Sequence, residues 1–231
     1  MILRLNRAGL PSRRPRTAAV LALAGALLAG TAGLAVSTPS AQGFPTPSIA
    51  PVAWEIDLKY RNPRRIVMEV PGQGPRAYWY FVYTVTNNAD QEIFFLPEVE
   101  MLTRDGRVLK SNWNIPRAVY DAIQQRARSV QLTSPHDMTA RLLVGEDEQR
   151  SSVAVWEEPS AEMGTFNIFF GGLSGEVVTL KDAQGNELKN EQGQPIRVRK
   201  TRQLTYKVRG DAVAAERDFP AELVEDKWVM R

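Results

Sequence analysis

The sequence predicts an all-β domain, a β-sandwich with one short inserted helix and a long C-terminal hairpin, and three observations carry that prediction. Residues 52–60 alternate apolar and polar with a period of two, the mark of a half-buried strand. Residues 78–86 are almost wholly aromatic and β-branched, the types that favour strands. Short runs of this kind recur between clusters of Gly, Pro, Asn and Asp, as in a protein of two packed sheets.

In the first strand Val52, Trp54, Ile56, Leu58 and Tyr60 share one face, with Ala53, Glu55, Asp57 and Lys59 on the other. Asn62-Pro63 turns the chain into a second strand through Ile66, Met68 and Val70, which ends at Pro71-Gly72-Gln73-Gly74-Pro75. The strand at 78–86 is apolar on both faces at its start and is therefore expected to be central. Asn87-Asn88-Ala89-Asp90 leads into 92–96. A strand at 99–103 then meets Asp105-Gly106, a hairpin cue because both central positions of such a turn favour positive φ.

One helix is expected over 115–128, with Asn114 as its cap and Pro116 in its first turn. Ile115, Val119, Ala122, Ile123 and Ala127 form its apolar stripe. Strands resume at 139–144, 152–156, 165–170, 176–181 and 196–208, the last folding back through Asp182-Ala183-Gln184-Gly185-Asn186. The C-terminal segment, 211–231, reads as a short Ala-rich helix and an apolar tip, Trp228-Val229-Met230, packing on a domain that spans 52–210. Trp54, Ile56, Trp79, Phe81, Tyr83, Val85, Val155 and Phe169 are the expected core between the two sheets.

The run Tyr83-Thr84-Val85-Thr86-Asn87-Asn88, then Leu96-Pro97, then Asp105-Gly106, resembles small bacterial exported immunoglobulin-like domains of unknown function. Gly145-Glu146 and Val153-Ala154-Val155-Trp156 resemble their later segment. The resemblance covers about half of the chain after the N-terminal segment and rests on residues that mark a fold. It implies an immunoglobulin-like β-sandwich and no activity. The helix at 115–128 and the hairpin at 176–208 depart from the plain pattern.

Residues 1–43 read as an export signal. Arg4, Arg7, Arg13, Arg14 and Arg16 precede an uncharged Ala/Leu/Gly run over 17–36, and a polar small-residue stretch follows. Ala35-Val36-Ser37 and Ala41-Gln42-Gly43 both supply small residues where cleavage needs them. The alternative is a retained anchor, because the 17–36 run is long enough to cross a bilayer with its arginines inside. Ser12-Arg13-Arg14 lacks the apolar residues that follow a twin-arginine pair, and without cysteine no lipid-modified N-terminus is available. Residues 44–51 form a proline-spaced linker, expected to be extended and not to pack.

The chain has 29 basic and 26 acidic residues; five of the basic ones and none of the acids lie in 1–43, leaving 24 against 26, a net charge of −2. Such a balance gives no ground for nucleic-acid binding. The absence of cysteine removes disulfides, thiolate catalysis and cysteine-ligated metals.

His136 is the single histidine, within Ser134-Pro135-His136-Asp137, and is read as a loop residue. No nucleophile motif accompanies it, and one histidine does not build the usual zinc set. Gly145-Glu146-Asp147-Glu148-Gln149 and Asp182-Ala183-Gln184-Gly185-Asn186-Glu187 are read as polar turns, since neither has the Asp/Asn spacing of a calcium loop. Gly171-Gly172-Leu173-Ser174-Gly175 lacks the helix and lysine of a phosphate loop. Tyr78, Trp79, Tyr80 and Tyr83 have the chemistry of a carbohydrate platform, but their crowding on one central strand favours a core role.

The strand at 196–208 is the most suggestive element. Ile196, Val198, Leu204, Tyr206 and Val208 share one face, and Arg197, Arg199, Lys207 and Arg209 the other. Lys200 and Arg202 interrupt the apolar face, as though mid-strand leaves cover or bulges. The four outward cations are candidates for binding an anionic surface, against the plainer reading of a solvated face that discourages edge pairing. The expected function is that of an exported, non-enzymatic binding or structural protein of the cell envelope, with no catalytic residue, cofactor or metal. Its expected partner is an envelope protein, a cell-wall polymer or an anionic membrane. The alternatives are an envelope hydrolase using His136 or a carboxylate pair, and an accessory subunit tethered to the inner membrane by residues 17–36.

Overall fold

A computed structural model describes residues 43–111, 114–160, 162–208 and 220–231. In chain order its elements are β1 (Asp57–Tyr60), β2 (Arg64–Val70), β3 (Gly74–Thr86), β4 (Ile93–Phe95), β5 (Glu98–Leu102) and β6 (Val108–Lys110). Then come α1 (Arg117–Arg126), β7 (Ala140–Leu142), β8 (Arg150–Glu157), β9 (Thr165–Gly171), β10 (Val177–Thr179), β11 (Arg197–Lys207) and β12 (Glu222–Met230). Among the described residues the protein is all-β apart from one helix and two short 3-10 turns, and its strand pairs are antiparallel.

β3 is the centre of the first sheet. β2 pairs with its first half, β1 with its last four residues, and β8 runs along its other edge. The second sheet runs β6-β5-β9-β11, with β12 on the far edge of β11 and β10 beside its start. β4 and β7 form a separate pair.

Both faces of β3 are buried because each has its own cover. Trp79, Phe81, Tyr83 and Val85 point at the second sheet, where Phe166, Ile168, Phe170, Leu204 and Tyr206 meet them. The rings of Tyr83 and Phe170 meet edge to face at 4.8 Å, and Trp79 lies 5.6 Å from Phe166. The intervening Tyr78, Tyr80 and Val82 join Ile66, Val153 and Val155 beneath Val119 and Ile123 of α1. A helix layer over one face and a sheet over the other account for the unbroken apolar run.

Three expected core residues are placed differently. Val155 packs on the helix side, Trp54 is half-buried, and Phe169 is half-buried on the outer face of β9. Ile168-Phe169-Phe170 is apolar at both parities, so alternation alone selects no face there; Phe166 and Ile168 are the residues that face inward. The helix also starts later than expected, with Pro116 rather than Asn114 at its cap position. The expected tip at 228–230 is part of β12, a nine-residue strand on the edge of β11. The helix expected just before it falls on 211–219, outside the described residues, as do all but the last residue of the expected export signal at 1–43 and the whole of the anchor alternative at 17–36. Among the described residues no helix is long and apolar enough to cross a membrane.

One turn is used three times. Thr103, Asp182 and Asn190 each donate their N–H to the carbonyl four residues on, at 2.9, 2.9 and 2.8 Å. Each also accepts that residue's N–H on a side-chain oxygen. Gly106, Gly185 and Gly193 complete the turns at φ of 84°, 88° and 77°, the left-handed conformation that a glycine adopts without steric cost. The Asp105-Gly106 hairpin is therefore a five-residue loop with one left-handed glycine at its fourth position. The second and third copies stand in series between β10 and β11. Leu180, Leu188 and Ile196 close a ring of backbone hydrogen bonds there, so the expected plain hairpin is a double turn with an eight-residue period.

The glycine run 171–175 answers a packing need. A Cβ on Gly172 would sit 2.2 Å from the Leu96 carbonyl oxygen, and one on Gly175 would sit 2.7 Å from the Trp54 indole nitrogen.

Candidate functional site

β11 alternates Arg197, Arg199, Thr201, Gln203, Thr205 and Lys207 on the outer face of the second sheet with Val198, Lys200, Leu204 and Tyr206 inside. Arg197, Arg199 and Lys207 are exposed, and none forms an ion pair among the described residues. Arg209 lies outside the described residues. Arg197 and Arg199 stand across from Thr179 and Val177 of β10, whereas Lys207 stands in register with an acidic residue, Glu222 of β12. The cationic end of the face is therefore the Arg197 end.

Arg231, whose backbone bonds that of Arg199 in both directions, lies over Phe169 at 4.3 Å and pairs with Glu100. This stacking explains why Phe169 tolerates an outward position. Farther along, Asn167 Oδ1 accepts from Thr205 Oγ1 at 2.7 Å and from Gln203 Nε2 at 3.2 Å. The face thus runs from guanidinium groups into a neutral hydrogen-bonding ladder. From Arg197 to Lys207 it extends about 33 Å at ~3.3 Å per residue.

No protein-family model, curated protein or solved structure matches this chain. Its functional reading therefore rests on the geometry of its own side chains.

Lys200 neither leaves cover nor bulges; the register shift in β11 falls at Thr205/Tyr206. Its side chain is 1 % exposed. Nζ donates to Glu55 Oε1 at 2.7 Å and to the Ser48 carbonyl at 2.8 Å, with Glu176 Oε2 at 3.5 Å and the Trp228 ring at 5.1 Å. Glu176 Oε1 in turn accepts from the Ser48 N–H and hydroxyl at 3.0 and 2.9 Å. Burial pushes the Glu176 carboxyl up, but the two Ser48 donors and the Lys200 ammonium outweigh it and hold the group below its ordinary value. The cluster ties the proline-spaced segment at Ser48 to the second sheet, where the sequence suggests a linker that does not pack. Arg202, the other interruption, pairs with both oxygens of Asp226, whose Oδ2 also accepts from Tyr60 at 2.7 Å. A lysine at apolar parity, between Val198 and Leu204, is the only sequence signal of this cluster.

The remaining candidates lie elsewhere in the fold. Tyr78, Trp79, Tyr80 and Tyr83 are all buried and offer no face to a sugar. His136 is exposed in a 3-10 turn, where its N–H donates to Ser134 Oγ at 3.2 Å. Asp182 spends its oxygens on Gln184 and Asn186 of its own turn. Glu146, Asp147 and Glu148 form an exposed 3-10 turn. Among the described residues no group of three or more metal-ligating side chains converges.

Proposed function

We propose that this protein is an exported, immunoglobulin-like β-sandwich that works by binding at the cell envelope, holding an extended anionic polymer along the outer face of its second sheet. The observation that carries this reading is the pair Arg197 and Arg199. They are exposed two residues apart on one strand, with no carboxylate in ion-pair contact among the described residues. Arg231 beside them and the Asn167, Gln203 and Thr205 ladder beyond extend the contact surface. A guanidinium pair suits the oxygens of phosphate or carboxylate groups, and a strand about 33 Å long suits a repeating chain of them. The basic head and apolar run of residues 1–43 support export.

Cosedimentation of the purified protein with isolated cell-wall material tests the binding. Arg197→Glu with Arg199→Glu should abolish it without lowering the melting temperature. Binding should also weaken steeply with salt, because exposed charges more than about 10 Å apart are screened at 0.1 M. Retention on anionic phospholipid vesicles but not on wall material would replace the polymer with a membrane plane. Failure of the wild type to bind either at low salt would end the reading. Intact mass of the protein from the envelope fraction tests export, the expected species beginning between Ser37 and Phe44.

A further inference from the structure

β12 lies on the rim of the second sheet with one of its two sides in use. It pairs with β11, and among the described residues no other strand pairs with it. A register shift opposite Thr205/Tyr206 interrupts the ladder; from Glu225 to Arg231 it is regular. Arg199 and Arg231 exchange both backbone hydrogen bonds, at 2.7 and 3.0 Å. In an antiparallel ladder such pairs alternate with pairs that exchange none. Lys227 and Val229 therefore also turn their backbone groups to β11, whereas Asp226, Trp228 and Met230 turn theirs to the open side. Lys200, opposite Met230, has the matching parity, because its N–H bonds away from β12 to the Glu176 carbonyl at 3.0 Å.

Sheet edges are commonly guarded by a proline or by a charge pointing inward. No proline falls in 221–231, and the inward Asp226 is already held through both oxygens by Arg202. The regular stretch is also self-complementary. Rotation about a two-fold axis at Trp228 sets Asp226 opposite Met230 of a second copy and Trp228 opposite itself. All three open residues then find backbone partners. On the outer face the same rotation sets Glu225 opposite Arg231 of the other copy, twice, and Lys227 opposite Val229. An axis at Lys227 would oppose two lysines, and one at Asp226 would oppose two aspartates and run the ladder into the register shift. Within its own chain Glu225 holds Lys227 at 2.8 Å and Arg231 holds Glu100. A guanidinium has donors left for a second carboxylate. The half-buried Trp228 ring, already 5.1 Å from Lys200 and from Arg202, gains the same ring of the other copy as cover.

We propose that β12 is a dimer interface: two copies of this chain join edge to edge, antiparallel about Trp228, so that the second sheet runs continuously through both. The joined sheet carries both β11 outer faces on one side. The dimer does not depend on what those faces bind, and either reading stands if the other fails.

Sedimentation equilibrium of the purified protein should show a monomer–dimer equilibrium with no larger species. Glu225→Arg and Arg231→Glu should each weaken dimerisation about tenfold or more, since like charges then meet twice across the axis. An equal mixture of the two variants should recover the dimer, because every Arg then faces a Glu. Melting temperatures of the dilute variants separate this effect from misfolding. Amide hydrogen exchange of the wild type reads the register directly and needs no variant to fold. The amides of Asp226, Trp228 and Met230 should slow as concentration rises, while those of Lys227 and Val229, already bonded to β11, should not change. A monomer at the highest soluble concentration, growth beyond a dimer, folded variants that do not recover on mixing, or exchange at 226, 228 and 230 that ignores concentration would each overturn the proposal.

Discussion

Lys200 and Glu55, 145 positions apart in the chain, meet at 2.7 Å in a pocket where the lysine is all but sealed from water. The ammonium is satisfied by Glu55, the Ser48 carbonyl and Glu176 together. A buried charge of this kind is costly to strand. Lys200→Met should therefore destabilise the protein by about 3–5 kcal/mol in urea denaturation, since two carboxylates lose their counter-charge. A loss within about 0.5 kcal/mol would show that the cluster has no net role.

The same cluster sets an acid limit. Glu176 is held below its ordinary value of 4.5 in the folded protein. A depressed carboxyl contributes stability that is fully present above its unfolded value and disappears as pH falls through the lower folded value. The melting temperature should thus fall from about pH 5 downwards. Glu176→Gln should flatten part of that fall while lowering stability at pH 7. Parallel pH profiles for wild type and variant would assign the acid sensitivity to other groups.

Phe81 is fully buried between the sheets, within ring contact of Tyr60, Tyr83 and Phe170. Phe81→Ala should cost about 3–5 kcal/mol. Phe169→Ala should cost clearly less, because that ring lies on the outer face under Arg231. Equal losses in chemical denaturation would contradict the assigned faces of β9.

Gly172 and Gly185 both adopt positive φ, at 83° and 88°. Only Gly172 is also crowded, its missing Cβ lying against the Leu96 carbonyl; nothing stands within 4 Å of a Cβ at Gly185. Gly172→Ala should destabilise by more than about 1 kcal/mol, through strain and displacement of the Leu96 backbone together. Gly185→Ala should cost less, through strain alone. Thermal denaturation of the two variants decides the order.

His136 should be dispensable. His136→Ala, at an exposed turn position, should change stability by no more than about 0.5 kcal/mol. Any hydrolytic activity detected should persist within a few-fold. A general base contributes about 10²–10⁴ in rate, so a loss of that size would restore the hydrolase reading.

The sequence by itself determined the elements whose cause is local. The alternation that yields β1 at Asp57–Tyr60, though not the expected strand from Val52, which is exposed, the doubly apolar strand around Phe81, and the Asp-Gly and Gln-Gly turns act over a few residues, and propensity, alternation and glycine conformation decide them there. The outward parity of Arg197, Arg199 and Lys207 was legible for the same reason. Tertiary structure decided everything that depends on what arrives from far along the chain. Val155 and Phe169 are equally apolar in sequence, yet one packs under α1 and the other under Arg231. Residues 222–230 carry too much charge to read as a strand, but the open edge of β11 supplies the hydrogen bonds that make them one. Lys200 reads as a break in an apolar face until Glu55 and Glu176 are brought to it. Burial and charge pairing are long-range in sequence, and the topology of the sheets chooses the partners.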